Sequence, residues 1–141
     1  MQAMSLDVPI KDIMSEKLLT LHPKDKLERS MQFFKEYEIH HIPVVVMNEV
    51  VGIVSQGDIL FLKSLTEDRF DEFYQDNKIN IMLVEEIMTA NPICVEYGAS
   101  LGRAVDLMTE NRINALPVTE GKELRGLLTT HDILKHLSKN L

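Results

Sequence analysis

Apolar and polar positions along this chain change period several times, and the changes come in the same order twice. Leu27, Met31 and Phe34 fall at helical spacing, with Phe33 beside their stripe. Ile42-Pro43-Val44-Val45-Val46-Met47 then reads as a strand, its proline suiting an edge or first strand position. Asn48-Glu49 predicts a turn, Val50–Ser55 the returning strand, and Asp58–Leu65 a closing helix. Further on, Leu101, Ala104, Val105, Leu107 and Met108 make a second helical face, and Leu116-Pro117-Val118-Thr119 a second strand. Glu120-Gly121-Lys122-Glu123 turns the chain into Leu124–Thr129, and Asp132–Leu137 closes with a helix. Ahead of each set lie a short capped stretch (Ile10–Ser15, Val84–Thr89), a brief strand (Leu18–Leu21, Ile93–Val95) and a turn or cap segment (Pro23–Asp25, Tyr97–Ser100).

The two sets are copies. A shift of 74 residues aligns Ile10–Lys63 with Val84–Leu137 without a gap, with 13 of 54 positions identical. The identities include Ile13/Ile87, Met14/Met88, Pro43/Pro117, Gly52/Gly126 and Asp58/Asp132, and pairs such as Ser55/Thr129 exchange like for like. One offset holding at every landmark means two copies of one supersecondary unit. Each reads strand, helix, strand, strand, helix, an α+β pattern. The expected division is a first domain over residues 8–66, a partly helical linker over 67–81, and a second domain over 82–141. Phe70, Phe73 and Tyr74, three and four apart, carry the helical expectation for the linker.

Composition narrows the function classes. A chain of 141 residues, 45% hydrophobic and 26% charged, has the make-up of an ordinary globular protein. No apolar run approaches a membrane span, and no signal peptide is visible, so a cytoplasmic protein without membrane insertion is expected. The single cysteine, Cys94, agrees with a reducing compartment. A net charge of −7 with no basic run argues against nucleic acid as a partner. The five histidines show no zinc-like spacing with Cys or carboxylates, so no metal site is expected. No acid–base pair, nucleophile constellation or phosphate-cradling glycine loop is present, and no catalytic residue is assigned.

The most informative stretch is Gly52-Ile53-Val54-Ser55-Gln56-Gly57-Asp58, repeated as Gly126-Leu127-Leu128-Thr129-Thr130-His131-Asp132. By itself it is a strand, a turn and a helix start. An aspartate there stabilises free backbone N–H groups and the helix dipole without any ligand. Taken with the paired Asp-Ile-Met and Glu-Ile-Met openings and the Pro-Val steps, it resembles a tandem pair of CBS (cystathionine-β-synthase) domains, a Bateman module, over about Val8 to Leu137.

That resemblance implies two β-α-β-β-α repeats packed through their sheets with pseudo-twofold symmetry, and clefts between them that take AMP, ADP, ATP or S-adenosylmethionine as regulatory ligands. It places Asp58 and Asp132 at the ribose, where a carboxylate can accept two vicinal hydroxyls, and Ser55 and Thr129 at the ribose or phosphate. Ile53, Leu127, Ile39 and Ile113 match positions that wall the adenine. His40 and His41 fall where phosphate-binding members carry basic side chains, whereas the second copy has Asn114 and Ala115. His131 partly compensates, and His22 falls where an opening strand nears a cleft. The Ser55/Asp58 side is thus expected to suit a phosphorylated ligand, and the other a less charged adenosyl compound.

The implied protein is a stand-alone, homodimeric sensor, not an enzyme, signalling by conformational change to an enzyme or transporter in trans. It needs no cofactor beyond its regulatory ligand. The competing expectation is a ligand-free module that assembles a partner, with both aspartates as plain caps.

Overall fold

The computed structural model describes residues 5–66 and 79–140. The elements are a 3-10 turn at Ile10–Asp12, helix α1 (Leu27–Glu36), strands β1 (His41–Val46) and β2 (Glu49–Ser55), and helix α2 (Gln56–Thr66). A second 3-10 turn at Val84–Glu86 leads to β3 (Thr89–Ala90), β4 (Val95–Glu96), α3 (Leu101–Asn111), β5 (Ala115–Glu120), β6 (Glu123–Thr129) and α4 (Thr130–Lys139). The two repeats appear as this duplicated α+β succession. The aromatic triplet expected to be helical, Phe70, Phe73 and Tyr74, lies outside the described residues.

The chain forms two compact units, and they do not coincide with the repeats. One unit gathers Leu19–Met47 and Val51–Asn91; the other gathers the residues up to Leu18, Asn48–Val50 and Pro92–Leu141. We call these the repeat-1 and repeat-2 units. Each contains the opening segment of the other repeat.

The repeat-1 core comprises Leu21, Leu27, Phe34, Ile42, Val44, Val54, Ile59, Ile79 and Val84. Leu27 and Phe34 come from the predicted stripe of α1, and buried Ser30 on the same helix satisfies its hydroxyl on the Leu27 carbonyl at 2.8 Å. β2 pairs antiparallel with β3, Gly52 opposite Ala90 and Ile53 opposite Thr89. The β1–β2 connection is Met47-Asn48, one residue earlier than expected. Both residues have positive φ (51° and 67°), as a two-residue hairpin turn of the twist-matching kind requires.

The repeat-2 core is built from Ile10, Met14, Val95, Leu101, Ala104, Met108, Leu116, Val118, Leu128 and Ile133. β5 and β6 pair antiparallel from Ala115/Thr129 to Glu120/Glu123, with a register shift at Val118/Thr119, and β4 runs parallel to β5. Ser100 caps α3 as expected, its hydroxyl accepting the Arg103 amide at 3.3 Å. The α3 helix ends on Arg112 in the left-handed region, φ 53°. Asn48–Val50 is bonded here, the Leu124 amide donating to the Asn48 carbonyl at 2.9 Å.

The brief opening strands are shorter and later than expected, for one reason. Leu21 makes a single parallel rung with Val44: its amide donates to the Pro43 carbonyl and its carbonyl accepts from Val45. The rung before it would need an N–H from Pro43, which proline lacks. The prediction of Leu18–Leu21 is therefore corrected to one bridge at Leu21. In the second copy Pro117 imposes the same limit, so β4 starts at Val95, which pairs with Val118, and not at Ile93.

Candidate functional sites

In the repeat-1 unit, β2 delivers Ser55 directly to the start of α2. The Asp58 amide donates to Ser55 Oγ at 3.1 Å, and the Ser55 amide reaches Asp58 Oδ2 at 3.4 Å. This is a reciprocal cap: a hydroxyl before the helix and a carboxylate three residues later satisfy backbone donors that a helix start leaves free. The Gln56 amide donates to the His40 carbonyl at 2.8 Å. That bond ties the residues leading into β1 to the helix start, so His40, His41, Ser55 and Asp58 are brought together.

His41 is half-buried and His40 exposed. Burial, and next the neighbouring His40, hold the His41 pKa below its ordinary 6.5, while the Asp58 carboxylate pulls the other way. Ile53 is half-buried two residues before Ser55, hence on the same face of β2. Ile39 packs against the repeat-1 core. His22 is engaged in its own turn: its amide donates to Asp25 Oδ2 at 2.8 Å, and its ring Nδ1 accepts the Lys24 amide at 3.0 Å.

The repeat-2 unit builds the matching arrangement with a shorter bond to its aspartate carboxylate. Thr129 caps α4: its hydroxyl accepts the Asp132 amide at 3.2 Å, and Asp132 Oδ2 accepts the Thr129 amide at 2.9 Å. The Thr129 hydroxyl also lies 3.0 Å from Asp132 Oδ2 and donates to it. The Thr130 amide donates to the Asn114 carbonyl at 2.9 Å, repeating the Gln56–His40 tie. Ile113 packs against the repeat-2 core, and Leu127 is only 7% exposed. His131 and Asn114 are exposed and Ala115 is buried.

Two differences follow. The Thr129 hydroxyl spends its proton on Asp132, whereas Ser55 has no such bond with Asp58 and keeps its proton for another acceptor. The adjacent pair His40-His41 accompanies only the first cap, whereas the second carries the single exposed His131 next to Asp132. The sites share a backbone plan and differ in the side chains around it. In both, the capping bonds fall on Oδ2, so Oδ1 of each aspartate takes no part in the cap.

Residues outside the predicted set hold these strands in place. A Cβ added to Gly126 would lie 2.5 Å from Met14 Sδ and 3.0 Å from the Ser15 carbonyl oxygen. One added to Gly52 would collide with Met88 Sδ and lie 3.2 Å from the Thr89 carbonyl oxygen. The methionine of each Ile-Met opening thus rests on the glycine of the other copy's return strand, three residues ahead of the capping hydroxyl. The Met/Gly pairs at constant offset were the only trace of this in the sequence. Gln56 and Thr130, whose amides make the ties, are not marked by type at all.

The family model of the CBS domain matches residues 10–64 and again 84–139. This chain belongs to the CBS-domain family. Among curated relatives it is 31% identical over 134 residues to an uncharacterized 33.4 kDa protein of a ribosomal RNA operon in Thermofilum pendens. That match covers 94% of this chain and 44% of the relative. It is 31% identical over 117 residues to an inosine-5'-monophosphate dehydrogenase of Korarchaeum cryptofilum, covering 82% of this chain and 21% of the enzyme. The chain therefore spans less than half the length of these two relatives.

Two solved CBS structures share the fold. CBSX2, in complex with AMP, superposes with a TM-score of 0.78 at 23% identity, covering 94% of this chain and 98% of that one. The CBS domain pair of protein MJ0100, in complex with 5'-methylthioadenosine and S-adenosyl-L-methionine, gives 0.77 at 24%, covering 95% and 98%. No helix among the described residues is long and apolar enough to cross a membrane.

Proposed function

We propose that this CBS-domain protein is a regulatory module that binds an adenosyl ligand at Ser55/Asp58, at Thr129/Asp132, or at both. The observation that carries this reading is the geometry of the two caps. Each fixes a carboxylate by Oδ2 at a helix N-terminus with Oδ1 outside the cap, as recognition of a ribose diol would need. The AMP held by CBSX2 and the S-adenosylmethionine held by the MJ0100 pair support the ligand class. Ser55, with His40 and His41 beside it, suits the first site to a phosphorylated ligand. The second, with its hydroxyl committed to Asp132, suits a less charged adenosyl compound. Ile53 and Ile39, and Leu127 and Ile113, supply apolar surface for the base; His131 and His22 stand at the margins.

The module regulates rather than catalyses, and passes ligand occupancy to an enzyme or transporter by conformational change. The CBS-like segment within a dehydrogenase supports an enzyme as recipient. Exposed Leu60, Phe61 and Leu65 on α2 and Leu134 on α4 support self-association as a homodimer. A cytoplasmic location fits this role.

Thermal unfolding with AMP, ADP, ATP and S-adenosylmethionine tests the reading. At 100 times Kd a ligand stabilises by about 2.7 kcal/mol, and the shift should vanish in Asp58→Ala, Asp132→Ala or the double variant. One observation favours a second reading: the caps account for both aspartates without a ligand. A protein that no adenosyl compound stabilises, yet remains self-associated, is the assembly module.

A further inference from the structure

The first site differs from the second by a pair of adjacent imidazoles at the start of β1, and these carry a property that a fixed cation would not. We infer that the first site takes up a proton on its His40-His41 pair when it takes a phosphoryl group, so that its affinity for phosphorylated ligands rises as pH falls. This inference rests on the ligand class proposed above for its adenosyl part, but not for its phosphoryl part.

The argument starts from which charges are near. His41 is half-buried on β1, with His40 preceding it and Asp58 on α2 as the electrostatic neighbours that act on it. The Gln56 amide bonded to the His40 carbonyl fixes these groups against the N-terminus of an eleven-residue helix. The groups that set its protonation are its own burial, the His40 imidazole and the Asp58 carboxylate. Without ligand, desolvation and the second imidazole disfavour the imidazolium, and Asp58 alone favours it.

A phosphoryl group adds up to two negative charges and three acceptor oxygens at that point. It reverses the balance, because an anion beside a partly buried imidazole stabilises the protonated form and gives it a second N–H donor. The neutral ring offers one donor and no charge; the proton supplies both. The sign follows from linkage. The complex has the higher histidine pKa and binds more protons than the free protein. Affinity therefore climbs as pH falls through the histidine range and levels off below the pKa of the free His41. Uptake of one full proton corresponds to about tenfold in affinity per pH unit. In the second site the equivalent positions are Asn114 and Ala115, which do not titrate.

Histidine ring resonances of the intact protein, titrated between pH 5 and 8 with and without AMP and with and without inorganic phosphate, read the proton directly. Calorimetry with AMP and with adenosine in buffers of different ionisation heat counts it. The expected result is a His41 pKa that rises with either phosphorylated probe, and proton uptake with AMP but not with adenosine. His40→Gln/His41→Gln should abolish the uptake, and His40→Gln alone, at an exposed position, keeps the test independent of folding. Phosphate titrates near pH 6 itself, so the difference between wild type and variant is the measure. AMP binding with an unmoved His41, or uptake equal in the variant, overturns the inference and leaves the adenosyl reading standing. A response to inorganic phosphate with no adenosyl compound bound upholds it and removes that reading. No response to either probe overturns the inference, and the adenosyl reading then rests on the second site and S-adenosylmethionine.

Discussion

Replacing each aspartate separates capping from ligand binding, because the two caps differ in strength in the opposite order to the two sites' chemistry. Asp132 Oδ2 accepts two bonds, at 2.9 and 3.0 Å, in a half-buried setting. Each is worth about 0.5–1.5 kcal/mol net, and loss of a whole cap about 1. Asp132→Ala should therefore lower the stability of the unliganded protein by about 1–2 kcal/mol, roughly 4–8 °C in Tm at this size. Asp58 Oδ2 accepts one exposed bond at 3.4 Å, close to the limit for any hydrogen bond. Asp58→Ala should cost no more than about 0.5 kcal/mol, within roughly 2 °C. Binding runs the other way. A charged hydrogen bond contributes about 1.5–3 kcal/mol, so Asp58→Ala should weaken AMP by about 10- to 150-fold while barely touching stability. Urea unfolding of the unliganded variants and calorimetric titration with AMP give the two numbers separately. Equal destabilisation by both substitutions, with AMP affinity unchanged in Asp58→Ala, would show that the carboxylates serve only their helices.

Three further outcomes can be checked by unfolding alone. Gly126→Ala should destabilise by about 1–3 kcal/mol, since its methyl meets both Met14 Sδ and the backbone carbonyl of Ser15, and only the methionine can move aside. Arg112→Gly should stabilise by about 0.5–1 kcal/mol, because Arg112 ends α3 with φ 53°, where a side chain is a burden. The low His41 pKa makes unliganded stability fall as pH drops below about 6.5, since the unfolded chain then binds a proton that the folded one refuses. The loss should flatten below the folded pKa, and His41→Gln should show a shallower fall between pH 7.5 and 5.5 in urea midpoints.

Much of this was readable from residues, and the parts that were not have a common cause. The 74-residue offset reports that a unit is repeated, and strand prolines and capping pairs are local signals carried by their own residues. Thr129 and Asp132 sit three apart in the chain and meet in space for that reason. What the offset does not report is which copy's opening segment joins which core. Met14 and Met88 are identical residues at identical positions, so either assignment gives the same pattern of apolar residues. Only the contacts separate them, Met14 on Gly126 and Met88 on Gly52. Likewise the two hydroxyl–carboxylate pairs read as equivalent. The bond that distinguishes them, Thr129 Oγ1 to Asp132 Oδ2, depends on a side-chain rotation that sequence does not encode in any visible way. The opening strands shrank through a rule that was available, the missing N–H of Pro43, but it operates on a neighbouring strand rather than on the segment being read.

The exchange of opening segments bears on how the chain matures during synthesis. The repeat-1 unit draws on a nearly continuous stretch ending at Asn91, so its core can close once that residue has emerged. The repeat-2 unit cannot. Ile10 and Met14 belong to a core whose other members end with Leu128 and Ile133, and Ser15 finds its bridging partner in Leu127, more than a hundred residues later. Until then the Ile10–Met14 segment waits without its hydrophobic partners, its long loop still open. A ribosome stalled once Asn91 has emerged would therefore hold one closed unit and an unprotected Ile10–Met14 segment. Limited proteolysis of such stalled chains should cut first near Ile10–Met14, and the same site should become resistant only when α4 is complete.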